Sequence, residues 1–283
     1  MPYIEAPGRT LYAESFGSSD DPTLLLVNGL TSQLLSWPIE FCEAFVDRGM
    51  HVVRFDNRDV GLSTTFEDAP SYSLSDMADD AAEIIGYYGA SPAHIFGISM
   101  GGMIVQTLAA ERPELVASMT SMASTTGNTE YGRPTTEAIA LLLAPPPTTR
   151  DEAIAASIVG KRCWGTPDTW NEADWSTFAA QNWDRSHPEG GGERQYEAIV
   201  AAGNRDSSVA TISVPSLVIH GSADTLIDVS GGRHTAELIE GSLYLEIEDM
   251  NHDVPQPMWP QIIEAVLSVV RDGEARLASR DVD

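Results

Sequence analysis

His94-Ile95-Phe96-Gly97-Ile98-Ser99-Met100-Gly101-Gly102-Met103-Ile104-Val105-Gln106-Thr107-Leu108-Ala109 is the stretch on which the fold turns. Residues 94–98 are short, apolar and strand-like, and residues 102–109 continue as a helix that ends near Pro113, since proline cannot extend one. Between them Gly97-Ile98-Ser99-Met100-Gly101 matches G-x-S-x-G. The motif alone arises by chance; a strand directly before it and a helix directly after it give it meaning. So tight a turn needs positions without bulk at Gly97 and Gly101, because the backbone folds closely on its neighbours there. It lifts the Ser99 hydroxyl above the sheet at the positive end of the following helix. The competing role for Ser99 is that of a plain helix cap.

Outward from this turn the same alternation repeats. Residues 24–27, 51–55 and 116–122 read as further buried strands, each short and apolar as parallel strands covered on both faces are. Residues 39–48 carry apolar positions at helical spacing and stop at Gly49. Residues 73–88 open on Ser73 with Asp76 three places on, a capping-box start. The pattern returns at 216–219 and 243–247, with a final helix over 261–270, and the last dozen residues read as a frayed tail. Strand–helix alternation implies a mostly parallel sheet with helices on both faces. Residues 126–213 differ: a Gly/Thr/Asn-rich start, Pro145-Pro146-Pro147, helical patterns without buried strands, and Trp164, Trp170, Trp175 and Trp183. Gly190-Gly191-Gly192 interrupts the segment before a helical run over 194–203. The predicted organisation is a core of 1–125 and 214–283 with a helical insertion at 126–213.

The chain has 283 residues, 42% of them hydrophobic and 20% charged, in the range of globular domains. With 42 acidic against 16 basic residues the formal net charge is −26, and Lys161 is the only lysine. A surface of that sign repels phosphate backbones and anionic lipid, which disfavours nucleic-acid and membrane-surface partners. No apolar run reaches spanning length, and Met1-Pro2-Tyr3-Ile4-Glu5 carries no basic and apolar leader. Cys42 and Cys163 form no C-x-x-C pair and no disulfide framework. A cytoplasmic setting is the expectation. The H-E-x-x-H, G-x-G-x-x-G and P-loop patterns are absent, so neither a metal nor an organic cofactor is predicted.

A serine hydroxyl needs a base to become a nucleophile at neutral pH. Of six histidines, His51 and His94 begin strands, on the edge away from strand ends, and read as structural; His187 and His234 fall in polar segments and read as solvated. His220 closes a strand before Gly221, too rigidly held to be the better base. His252, in Asp249-Met250-Asn251-His252-Asp253 after the last strand, is the predicted base. The carboxylate that orients it is assigned to Asp224, in His220-Gly221-Ser222-Ala223-Asp224, with Asp228 as the alternative; Asp249 and Asp253 are too near His252 in the chain. The order Ser, Asp, His suits this strand sequence. A developing oxyanion needs aimed donors, and the backbone N–H groups of Met100 and of Leu30, in Asn28-Gly29-Leu30-Thr31, are the candidates. Gly29, Trp37, Met103, Trp164 and Trp183 are the candidate substrate contacts, although each tryptophan and Met103 can equally serve packing.

With these residues assigned, the chain resembles the α/β-hydrolase superfamily, and within it bacterial serine esterases of the aclacinomycin methylesterase type. The resemblance rests on Leu24 to Gly29, on Phe55-Asp56-Asn57-Arg58-Asp59-Val60-Gly61-Leu62-Ser63, on Gly97 to Gly102, on Val218 to Asp224 and on Asn251-His252-Asp253. It implies a helical cap inserted after the sixth strand, over the active site, with Leu30 and Met100 as the oxyanion hole. It also implies that Asp56, Arg58 and Asp59 brace the site. Many relatives have His-Gly where this chain has Asn28-Gly29. Relatives that cleave epoxides or carbon–halogen bonds use an aspartate nucleophile, which Ser99 argues against. The implied activity is hydrolysis of a small-molecule carboxylic ester, with a methyl or other small-alcohol ester of a hydrophobic acid as the narrower expectation. Carbon–carbon hydrolysis, lactone opening and perhydrolysis use the same three side chains, and a non-catalytic ligand-binding protein on this scaffold is the reading of another class.

Overall fold

The computed structural model describes residues 3–66 and 71–280, the Arg280 side chain excepted. Eight strands form one sheet: β1 (Tyr3–Ala6), β2 (Arg9–Phe16), β3 (Thr23–Val27), β4 (His51–Phe55), β5 (Ala93–Ile98), β6 (Val116–Met122), β7 (Ser216–Gly221) and β8 (Leu243–Ile247). Their order is β1-β2-β4-β3-β5-β6-β7-β8. β1 and β2 form an antiparallel hairpin, β2 lies antiparallel to β4, and every other pair is parallel. The parallel strands therefore all end on one edge, where the loops after β3, β5, β7 and β8 meet.

Apolar runs form these strands because both faces are covered. In β3, Leu24 and Leu26 belong to one buried cluster and Leu25 and Val27 to the other, as the two-residue alternation of a strand requires. One cluster holds the sheet against α1 (Ile39–Val46) and α10 (Trp259–Arg280); the other holds it against α2 (Leu74–Tyr87) and α3 (Met100–Glu111). The Ser73–Asp76 capping box opens α2. Between β6 and β7 the described chain makes helices only: α4 (Thr136–Leu142), α5 (Arg150–Trp164), α6 (Glu172–Arg185), α7 (Gly191–Ala202) and α8 (Asp206–Val209). The remaining helix, α9 (Ser230–Leu238), packs on β7.

The structure departs from the sequence expectations in several places. The hairpin β1–β2 was not signalled, because its residues alternate too weakly. The tail expected to fray from about residue 272 instead continues α10 to Arg280. Gly273 packs on the Ala117 carbonyl, Glu274 lies 3.1 Å from His94 Nε2, and Arg276 donates to the Ser213 carbonyl at 2.6 Å; residues 281–283 lie outside the described residues. The glycine run does not precede α7 but opens it, with Gly190 as a left-handed cap at φ 70°. A Cβ on Gly191 would meet the Asp59 carbonyl at 2.3 Å and one on Gly192 would meet Thr31 Cγ2 at 2.8 Å, so two bare positions let this helix touch the core loops. His234, expected in solvent, is half-buried: its ring stacks on Tyr131 at 3.9 Å with Nε2 3.0 Å from Asp206.

Candidate active site

Ser99 stands between β5 and α3 with φ 57° and ψ −122°, a conformation that costs a non-glycine residue about 1–3 kcal/mol. Its surroundings hold it there. The Ser99 N–H donates to the Met122 carbonyl at 2.9 Å, and its own carbonyl accepts from Ser124 Oγ at 2.8 Å. A Cβ on Gly97 would fall 2.0 Å from the Gly101 carbonyl, and one on Gly101 2.2 Å from that of Val27, which is why both flanks are bare. The Ser99 side chain makes no capping hydrogen bond to α3, so its hydroxyl is not spent on the helix.

Asp224 follows β7 and His252 follows β8, and the loop carrying His252 lies over the end of β7: Ala223 N–H donates to the Met250 carbonyl at 3.0 Å. His252 Nδ1 meets Asp224 Oδ2 at 2.8 Å. The other oxygen, Oδ1, accepts from the N–H groups of Leu226 and Ile227 at 2.9 and 2.8 Å. Burial alone would raise the Asp224 carboxyl, but the charge of His252 and the hydrogen bonds of His220 and His252 outweigh it and hold the group well below the usual carboxylate range. The alternative carboxylate, Asp228, is exposed and accepts from Ser230 N–H.

The chain after β3 closes the site from the other side. A Cβ on Gly29 would lie 3.1 Å from Ser99 Cβ and 3.6 Å from Oγ, so the bare position leaves the hydroxyl clear. Leu30 is half-buried beside it, and Met100, first residue of α3, is buried with an N–H that no helical carbonyl can reach. Thr31, at φ 59°, donates its N–H to Gln195 Oε1 at 2.8 Å.

The other candidate contacts separate. Met103 sits one turn beyond Ser99, its N–H donating to the Ser99 carbonyl at 3.2 Å, with its side chain in the core. Trp37 is a correction: only 1% exposed, it packs between Phe41 and Phe96 in the cluster under α1 and α10, where an indole fills core volume rather than facing a ligand. Trp164 folds toward Gly160 of its own helix while its carbonyl accepts from His252 N–H at 2.9 Å. Trp183 stacks on the exposed His187 at 4.1 Å.

Four side chains anchor the insertion to this edge, and sequence reasoning missed them. Arg185 Nη2 lies 2.7 Å from Asp56 Oδ2, and Arg194 binds both oxygens of Asp59. Gln195, wholly buried, bridges Thr31 N–H and the Arg58 carbonyl. Lys161 Nζ reaches Asp253 Oδ2 at 2.5 Å, next to His252, and lies over the Trp175 ring. Among the described residues no group of three or more His, Cys, Asp or Glu is placed to hold a metal, and no helix is long and apolar enough to cross a membrane.

A sheet of this order, with a serine on its strand-to-helix turn and a histidine–aspartate pair on the neighbouring strand ends, defines an α/β hydrolase. The alpha/beta hydrolase fold family matches residues 22–255, and the chain belongs to it. It is similar to the rhodomycin D methylesterase DauP of Streptomyces sp. (strain C5), 26% identical over 295 residues that cover 93% of this chain and 95% of that protein. DnrP, the rhodomycin D methylesterase of Streptomyces peucetius, is 25% identical over 301 residues, covering 93% and 95%. Among solved structures, the enol-lactonase from Burkholderia xenovorans LB400 shares the fold with a TM-score of 0.76 at 22% identity, over 95% of this chain and 100% of that one.

Proposed function

We propose that this chain is a serine hydrolase of carboxylic esters that works through an acyl-enzyme, with Ser99 as nucleophile, His252 as base and Asp224 as the carboxylate that orients it. The observation that carries this reading is the unspent Ser99 hydroxyl on the same strand edge as the 2.8 Å Asp224–His252 hydrogen bond. Asp224 Oδ2 accepts the Nδ1 hydrogen, which leaves the Nε2 lone pair of His252 for the Ser99 proton. As that proton moves, Oγ bonds to the ester carbonyl carbon and the carbonyl electrons pass to oxygen. The oxyanion accepts from Leu30 and Met100 N–H, donors worth about 3 kcal/mol of barrier each in such sites. The carbon–alkoxide bond breaks and His252 gives its proton to the leaving alcohol. Water then repeats the sequence, its proton passing to His252 and back to Ser99 as the acid departs. No further group is required for the balance.

The substrate we infer is a methyl or other small-alcohol ester of a hydrophobic acid, which the likeness to two methylesterases along nearly the whole chain supports. Residues 126–213 act as the cap, a role supported by the Arg185, Arg194, Gln195 and Lys161 anchors on the core loops. Gly29, beside the Ser99 hydroxyl, and Met103, one turn beyond it in the core, are the core-side contacts to test, and Trp164 and Trp183 are the cap aromatics to test. Turnover of p-nitrophenyl butyrate, then of methyl esters of aromatic polyketides against lactones of similar size, checks both parts. Ser99→Ala is expected to lose at least about a thousandfold in kcat; wild-type turnover by that variant refutes the reading.

A further inference from the structure

The Asp224 carboxylate serves two histidines. Besides His252 Nδ1 at 2.8 Å, Oδ2 lies 3.3 Å from His220 Nε2, and the same Nε2 lies 2.8 Å from the Ile227 carbonyl. A carbonyl oxygen only accepts, so Nε2 carries the ring hydrogen and shares it between Ile227 and Asp224. The other ring nitrogen, Nδ1, is buried with no hydrogen-bond partner, so it keeps its lone pair; a hydrogen there would be an unmet buried donor. The tautomer is thereby determined by the surroundings. The ring, 0% exposed, packs against the bare Gly232 of α9, where an added Cβ would fall 2.4 Å from Nδ1.

The contacts close a loop. Ile227 donates its N–H to Oδ1 and accepts from His220 with its carbonyl, so one residue ties the carboxylate to the imidazole on both sides. Oδ1 is held by two backbone N–H groups and Oδ2 by two imidazoles, which leaves the carboxylate a single rotation about its Cβ–Cγ bond. Without His220, Oδ2 has His252 alone to hold it.

We propose that His220 is a positioning residue of the catalytic site: its Nε2–H, fixed by Ile227 and Gly232, fixes the Asp224 carboxylate so that Oδ2 meets His252 in the geometry that proton transfer needs. This rests on the reading of Ser99, Asp224 and His252 given above. His220 touches neither substrate nor nucleophile, so its effect falls on kcat and leaves KM nearly unchanged.

The test compares His220→Leu, which removes the donor, with His220→Gln, whose side-chain amide N–H reaches about as far as Nε2. Steady-state kinetics on p-nitrophenyl butyrate are read beside thermal melting, with Ser99→Ala as control. The leucine variant is expected to lose about ten- to a hundredfold in kcat with KM within about twofold, and the glutamine variant to regain most of the loss. A leucine variant with wild-type kcat, or a glutamine variant as slow as the leucine one, overturns the inference alone, provided Ser99→Ala is inactive. An active Ser99→Ala overturns the parent reading and this inference with it. Should the leucine variant fail to fold, Gly232→Ala replaces it: its methyl must displace the ring, so lowered kcat supports the inference and unchanged kcat overturns it.

Discussion

Asp224→Asn replaces one carboxylate oxygen by an NH2 group where four N–H groups point inward: Leu226 and Ile227 at Oδ1, His252 and His220 at Oδ2. Whichever way the amide turns, its NH2 faces donors. Toward Leu226 and Ile227 it leaves two buried backbone donors unmet, at about 1–3 kcal/mol each, and those donors have no alternative state. Toward the histidines the cost is smaller, because His252 can move its hydrogen from Nδ1 to Nε2 and accept from the amide. The variant is therefore expected to fold, with His252 in the wrong tautomer and an N–H pointing at Ser99 where a lone pair is needed. Aspartate-to-asparagine changes of this kind cost about 10⁴-fold in kcat, or ~5 kcal/mol of barrier. The assay is kcat/KM on an activated ester, paired with nitrogen NMR of the His252 ring to read the tautomer. Activity within tenfold of wild type, with the ring hydrogen on Nε2, would refute the assignment of Asp224 as the orienting carboxylate.

Lys161→Met strips a buried cation from Asp253 and leaves that carboxylate with Thr166 alone; the side chains of the pair are 9% and 13% exposed. Breaking such a pair costs about 3 kcal/mol, so the urea midpoint should drop clearly, and an unchanged midpoint contradicts the role given to this anchor. Acid should weaken the fold in two stages. Burial holds the folded-state pKa of His51 and of His94 below the ordinary histidine value, so the unfolded chain takes up those protons first. Stability is then complete above about pH 6.5 and declines below it. Asp76, through its Ser73 hydrogen bond, and Asp224 are depressed, and their contributions persist above about pH 4 and are lost as the pH falls further. Unfolding free energy measured by urea at pH 8, 6 and 5 checks the first stage; a flat profile over that range argues against it.

The sheet was legible because its strands are buried on both faces. Leu24 to Val27 and His94 to Ile98 need no long-range knowledge to be read as strands, since few other elements accept short unbroken apolar runs. The serine turn was legible for a similar local reason, Gly97 and Gly101 being forced by carbonyls about 2 Å from where a Cβ would stand. The β1–β2 hairpin and the end of α10 were not, because what holds them is distant: β2 needs β4, and residues 273–276 need Ala117, His94 and Ser213. At the site, chain order alone put Asp224 and His252 on successive strand ends. The sharing of Asp224 with His220 was not readable, because it depends on a bare Gly232 and on one carbonyl, Ile227, neither of which has a sequence signature. Trp37 misled for the opposite reason: an indole ten residues after a strand end suits a pocket or a core equally, and only its neighbours Phe41 and Phe96 decide.

Fluorophosphonate labelling followed by peptide mass spectrometry bears most directly on the chemistry assigned to this chain. A single adduct should form rapidly on the peptide containing Ser99, and His252→Ala should slow it by orders of magnitude. An adduct on any other serine, or none from a preparation that still hydrolyses esters, would mean that Ser99 is not the group attacked.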